Sequence, residues 1–326
     1  MSGDGYARCM QQRSFGQLGT VSALTLGGGG VGQVWGATTR DESIATVRDA
    51  LDLGITLLDM APSYGNGEAE SVVGEALAGR LPDGVRITTK FGLGNPPASE
   101  VRALLERSLD ESFARLRVSF VDVFFLHNMI VPDDTRYRGT SRSLFVETVR
   151  PEFERLVRLG RIGAWGITGI GVPDQVIETL GEDPVPGAVQ CIANLLDSPG
   201  GLKRYAEPAN PRDIIDAASR REVAVMGIRA VQAGALTDAL DRDLPADHPE
   251  MIDFNRASGF RALAKELGES AASLAHRYAL SINGVSTVVL GVKNRTELRE
   301  CIAAEAKGPL PTELIVRIDS SVASAI

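Results

Sequence analysis

Short, nearly continuous apolar runs recur along the chain, separated by longer segments of helical periodicity. The runs are ALTLG (23–27), ITLLD (55–59), RITTK (86–90), VDVFFLH (121–127), IGAWGIT (162–168), GAVQC (187–191), VAVMG (223–227) and STVVL (286–290). Runs without strict apolar–polar alternation fit strands buried on both faces of a parallel sheet. Between the first two, DESIATVRDALDLG (41–54) places Ile44, Val47 and Leu51 on one stripe and stops at Gly54. SEVRALLERSLDESFARL (99–116) repeats apolar residues at Val101, Leu104, Leu105, Leu109, Phe113 and Leu116, with Ser99 as the expected N-cap. Pro211 stands near a first helical position. Further helical patterns cover 151–160, 260–268, 270–281, 295–306 and 311–326.

Eight strand–helix alternations within 326 residues predict an α/β fold, a (β/α)8 TIM barrel. The alternative is an open doubly wound sheet with an added domain. No Pro/Gly/Ser-rich linker divides the chain, which favours a single barrel domain over 1–326. RSFGQLGTVS (13–22) predicts a short N-terminal hairpin at the barrel bottom, with about 1–12 expected to be disordered. NMIVPDDTRYRGTSRSLFVETVR (128–150) predicts an elaborated loop after the fourth strand.

One stretch points to a different fold. LTLGGGGVGQVWG (24–36) sets Gly27, Gly29 and Gly32 in the G-x-G-x-x-G order of a dinucleotide fingerprint. In that motif the helix begins at the glycines. Here VWGATTR (34–40) intervenes and the helix is expected from about Asp41, so the stretch reads as the loop after the first barrel strand.

The net charge of −8, with no long run of like charges, argues against a nucleic-acid partner. Cys9, Cys191 and Cys301 show neither metal-ligand spacing nor a disulfide framework, which predicts a reducing, cytoplasmic setting. MSGDGYARCMQQRS lacks the apolar core of a secretory signal. No apolar run approaches the roughly 20 residues of a membrane helix, so no membrane association is expected.

Active sites of such barrels lie at the C-terminal ends of the strands. Strand two ends at Asp59, strand three at Lys90 and strand four at His127, and Tyr64 follows the acid by five residues. Taken singly, these are a turn-capping acid, a solvated lysine, a core histidine and a loop aromatic. Together they make a proton donor. A phenol titrates near 10, and an adjacent ammonium is expected to lower that value. A carboxylate holds the ammonium in place, and a neutral imidazole directs a substrate oxygen by a hydrogen bond. No serine or cysteine nucleophile is matched to a base. With only His127, His248 and His276 in the chain, no metal is expected. Protonating a carbonyl oxygen as hydride arrives from a nicotinamide suits these groups.

At this point the chain resembles the aldo-keto reductases. GITLLDMAPSYGNGEAESVVGEAL (54–77) resembles that family's D-T-A-x-x-Y-G-x-x-E-x-x-x-G signature, and ITTKFG (87–92) its strand-three lysine motif. VDVFFLHN (121–128) resembles its L-H motif and LVRLGRIGAWGIT (156–168) its L-x-x-x-G-K-I-R-x-x-G-x-S segment. The similarity runs from about Phe15 to about Glu305.

The resemblance implies an NAD(P)-dependent oxidoreductase acting on a small carbonyl or sugar. Tyr64 would be the general acid, Lys90 and Asp59 would tune it, and His127 would orient the carbonyl. Gln190 would bond the nicotinamide carboxamide, and Gly28 and Gly29 would let backbone approach the nicotinamide end. GVKNRTELRE (291–300) resembles the adenosine-phosphate loop. It opens at Gly291, with Lys293 on a 2′-phosphate and Glu300 on the adenine or ribose edge. This favours NADP(H) and leaves NAD(H) open, because Glu297 is unfavourable beside a phosphate.

Three departures matter. Thr168-Gly169 replaces the usual Ser-Asn, keeping a hydroxyl. Ile228 replaces a stacking aromatic and can pack against the ring. Arg229 is unexpected, and would contact the pyrophosphate or pair with a carboxylate. Trp35 and Met129 are expected in the substrate pocket. The other functional reading is a cofactor-binding regulatory subunit with little turnover, which the filled Asp59, Tyr64, Lys90 and His127 positions disfavour. The oligomeric state is not legible.

Overall fold

The computed structural model describes residues 10–34, 36–134 and 136–322. Among these, eight parallel strands close into a barrel: β1 (Leu24–Gly27), β2 (Leu57–Asp59), β3 (Arg86–Phe91), β4 (Val121–Leu126), β5 (Ile162–Thr168), β6 (Ala188–Ile192), β7 (Ala224–Ile228) and β8 (Thr287–Leu290). Each strand pairs with the next in sequence, and β8 returns to β1 through Val288 opposite Leu24. The predicted (β/α)8 barrel is the observed fold, because each apolar run meets the lumen on one face and the helix ring on the other.

The N-terminal hairpin pairs Gln12–Ser14 with Thr20–Ser22. Its Phe15 is fully buried with Val21, Leu57, Val123, Phe125, Ala188, Ala224 and Met226, sealing the lower lumen with apolar side chains. A Cβ at Gly16 (φ 55°) would lie 2.3 Å from the Glu222 carbonyl oxygen, so the hairpin turn lies tight under β7. The N-terminal expectation changes accordingly. Residues 10–12 are placed and Met10 is buried, while 1–9 lie outside the described residues.

Four local expectations need correction. Ser99 does not cap its helix: Ala98–Leu116 starts after Pro97, and no side chain caps it. The loop after β4 is shorter than 128–150. It carries the paired two-residue strands Ile130–Val131 and Thr140–Ser141, and from Arg142 the chain is helical to Arg158 through a wide turn at Phe145–Val149. Pro151 hides this continuity in the sequence, because proline normally marks a helix start. Phe145, Phe153 and Trp165 pack between this helix and β5, the last two stacked with centroids 6.0 Å apart. The final helix is Thr312–Asp319, and 323–326 lie outside the described residues. Finally, one helical turn, Gly28–Val31, does begin at the glycines, but it ends at Gly32, and the long helix is Arg40–Asp52.

Candidate active site

Three strand ends and one turn assemble the site. Asp59 closes β2. On β3, Thr88 and Lys90 are two residues apart and so share the lumen face. His127 follows β4 and donates its backbone N–H to the Phe91 carbonyl at 2.8 Å. Tyr64 is carried by the turn after β2. Gly28 makes room for it: a Cβ there would meet Met60 Sδ at 2.9 Å, Tyr64 Cδ2 at 3.0 Å and the Ala69 Cβ at 3.1 Å.

The structure brings the four sequence-predicted residues together. Lys90, fully buried, donates from Nζ to Asp59 Oδ2 and to the Met60 carbonyl, both at 2.8 Å. The ammonium lies 4.8 Å from the Tyr64 ring centroid. The Tyr64 and His127 rings meet edge to face, with centroids 5.9 Å apart. Ser63 Oγ lies 3.5 Å from His127 Nδ1.

Burial sets the charge states. Burial works to neutralise Lys90, but Asp59 and Tyr64 outweigh it and hold the ammonium above its ordinary range. For Tyr64 the expectation reverses. Burial raises the phenol and Asp59 adds to that, and together they exceed the lowering effect of Lys90. In the resting site Tyr64 is therefore a neutral proton donor. His127 is pushed down to about 3 by burial and by Lys90, so its imidazole is neutral.

That depression has a stability consequence. Between about 3 and the unfolded value near 6.5, the unfolded chain binds the His127 proton and the folded chain does not. Stability therefore falls as pH drops through this window, by up to about 1.4 kcal/mol per pH unit. Urea unfolding at pH 7 and pH 5 should show a smaller loss for His127→Gln than for the unaltered protein. Parallel losses would contradict a neutral buried imidazole.

The remaining sequence-predicted residues separate into groups. Gln190, 3% exposed, donates from Nε2 to Asp59 Oδ1 at 2.7 Å. Thr168 Oγ1 donates to the Leu126 carbonyl at 3.0 Å. Ile228 and Met129 are partly buried in one apolar cluster with Ile170, Val172, Ile192 and Tyr205. Gly291 is exposed just beyond β8. Trp35 lies outside the described residues.

The other sequence-predicted residues lie among partners within the protein. Gly28 and Gly29 are buried, in a turn that gives Tyr64 a packing surface. Arg229 takes its carboxylate alternative. Nearly buried, it donates to Glu250 Oε1 at 2.8 Å and to Gln232 Oε1 at 2.9 Å. Glu300, exposed, accepts from Ser270 Oγ at 2.6 Å. Lys293 keeps a partly exposed ammonium near the N-terminus of helix Arg295–Ala306, 3.4 Å from Glu297 Oε1 and 3.6 Å from Asp241 Oδ2.

Sequence reasoning missed Thr88, which donates from Oγ1 to Asp59 Oδ1 at 2.7 Å. Its signal was its place two residues before Lys90 on one strand.

Comparison with known proteins places the chain in a family. The family model described as the aldo/keto reductase family matches residues 23–323. The chain belongs to the aldo/keto reductase family. Among relatives of this family member, L-galactose dehydrogenase of Arabidopsis thaliana is 26% identical over 90% of this chain and 88% of that protein. Methylglyoxal reductase YeaE of Escherichia coli is 29% identical over 71% of this chain and 72% of that protein. Among solved structures, the holo form of aldo-keto reductase AKR11C1 from Bacillus halodurans superposes with a TM-score of 0.72 at 21% identity, covering 97% of this chain and 98% of that one. That similarity supports the barrel alone. The relatives named for their reactions are oxidoreductases, and a small-molecule substrate is consistent with the family. Among the described residues, no helix is long and apolar enough to cross a membrane.

Proposed function

We propose that this protein is a cytoplasmic, single-domain oxidoreductase that reduces an aldehyde or ketone, or oxidises the matching alcohol or sugar hemiacetal. The observation that carries the reading is the buried Asp59–Lys90 pair set beside Tyr64 and His127. A nicotinamide dinucleotide, when bound, supplies the hydride for the carbonyl carbon or accepts it in reverse. Tyr64 gives its proton to the carbonyl oxygen, completing the alcohol. Lys90 stabilises the phenolate left behind, which regains its proton from water. Asp59 keeps Lys90 in register, and neutral His127 donates a hydrogen bond to the substrate oxygen.

The residues available to the dinucleotide fit it in part. The apolar Ile228 is partly exposed at the end of β7 and offers a surface for the ring. Thr168 ends β5 and Gly291 follows β8, both at the C-terminal ends of strands, where this fold binds its ligands. Lys293 offers a cation to a 2′-phosphate and so favours NADP(H). Asp241 and Glu297 beside that lysine keep NAD(H) as the other carrier. Lys293→Ala should weaken NADPH at least about tenfold more than NADH, the scale of one charge-assisted contact. Fluorescence titration measures both, and equal losses would remove the phosphate contact.

The names of two relatives guide the substrate search toward an aldose and a small oxo-aldehyde. The test is a spectrophotometric screen of L-galactose with NAD and NADP, and of methylglyoxal and other aldehydes with NADH and NADPH. Dinucleotide binding without turnover of any carbonyl or aldose would oppose the enzymatic reading.

A further inference from the structure

The Asp59 carboxylate is saturated in an unsymmetrical way. Oδ2 faces the Lys90 ammonium at 2.8 Å. Oδ1 accepts two neutral donors at 2.7 Å, the Thr88 hydroxyl and the Gln190 amide. All four side chains are buried: Thr88 and Lys90 are fully enclosed, Asp59 is 2% exposed and Gln190 3%. They come from three strands. Gln190 crosses the lumen from β6 to an acid 131 positions earlier in the chain. Below this layer the lumen is apolar, lined by Leu57, Phe125 and Met226.

In such a place a carboxylate has few orientations that satisfy both oxygens. Were only Lys90 present, the group could rotate and share the ammonium between its oxygens. Two donors on Oδ1 oppose this, because turning the carboxylate toward a shared ammonium would break both of their hydrogen bonds. The Lys90 position follows from that constraint, since its ammonium is held between Asp59 Oδ2 and the Met60 carbonyl.

We propose that Thr88 and Gln190 are positioning residues. Their paired donors on Asp59 Oδ1 fix the carboxylate, and through it hold the Lys90 ammonium against Tyr64. The inference rests on the reading of Tyr64 as the acid. Neither residue moves a proton or touches the substrate in this role. Loss of the Thr88 donor leaves the fold's shape unchanged but lets the ammonium drift, so its effect falls on the chemical step and not on substrate affinity.

The test compares Thr88→Val, which keeps the volume and removes the hydroxyl, with Thr88→Ser, which restores the hydroxyl. With the best carbonyl substrate from the screen, Thr88→Val should lower kcat roughly tenfold or more, the scale of one hydrogen bond to a charged group. KM should stay within about twofold, and Thr88→Ser should recover most of kcat.

A second readout needs no substrate. The chain has five lysines, and of these only Lys90 is buried. In protein labelled with 15N-lysine, Lys90 should give a slowly exchanging ammonium resonance that disappears in Lys90→Met. Thr88→Val should shift that resonance and speed its exchange with water severalfold, and Thr88→Ser should reverse both. If Thr88→Val fails to fold, Thr88→Ala replaces it in both measurements.

A folded Thr88→Val with unchanged kcat and an unmoved Lys90 resonance overturns the proposal. So does a Thr88→Ser that restores neither. Tyr64→Phe, run alongside, separates the two levels. Full turnover in Tyr64→Phe removes the underlying reading, whereas loss there with an unaffected Thr88→Val removes only the positioning role.

Discussion

Tyr64→Phe is expected to lower carbonyl turnover at least about 100-fold, the lower range for loss of a positioned general acid. The substitution removes one oxygen and keeps the ring. Its packing against the Gly28 turn and its edge-to-face contact with His127 therefore remain. Melting temperature should change little, and dinucleotide affinity should stay within about twofold, since the hydroxyl is assigned to the substrate oxygen. No other group in the cluster replaces this proton: His127 is neutral and pushed to about 3, and Lys90 is tied to Asp59 and the Met60 carbonyl. Stopped-flow or steady-state absorbance at the nicotinamide band measures the loss. Turnover near that of the unaltered protein would take the acid role away from Tyr64.

Gly30→Ala should damage the fold where Tyr64→Phe damages chemistry. A Cβ at Gly30 would lie 1.9 Å from the Val292 carbonyl oxygen and 2.4 Å from its carbon. Both are backbone atoms of the segment leaving β8, so no side-chain rotation relieves the clash. The expected loss is about 3 kcal/mol or more, beyond the usual range for overpacking. For a domain of this size that lowers the melting temperature by about 5 °C or more. The control is Gly181→Ala, where a Cβ meets nothing within 4 Å and stability should change by less than about 0.5 kcal/mol. A Gly30→Ala protein as stable as the control would mean that the loops after β1 and β8 are not closely packed.

These two residues show how unevenly the site was legible. The Asp59, Tyr64, Lys90 and His127 cluster could be read because each member is tied to a strand end, and strand ends follow from hydrophobic pattern. The glycine run is legible only in part: it is the turn after β1, as expected, but what its backbone approaches is not recorded locally. A sequence shows that a backbone must come close to something, but not to what. The neighbours here are Tyr64 from the next turn and Val292 from the far end of the chain. For Arg229 the sequence leaves two roles open for the same reason. Glu250, its partner, lies 21 positions on, in a helix whose placement no local pattern specifies.

Alone, the sequence determined the strand order, the barrel and the identity of the four clustered groups. Burial on both faces of a parallel strand imposes an apolar run, and the helical period imposes its stripe, so both are recorded locally. Tertiary structure alone decided the charge states and the partners. Burial reversed the expected direction for Tyr64, because desolvation depends on everything packed around a phenol and not on the lysine beside it. Closure of the barrel placed Thr88 and Gln190 on one oxygen of Asp59, an arrangement that exists only once β2, β3 and β6 surround a common lumen.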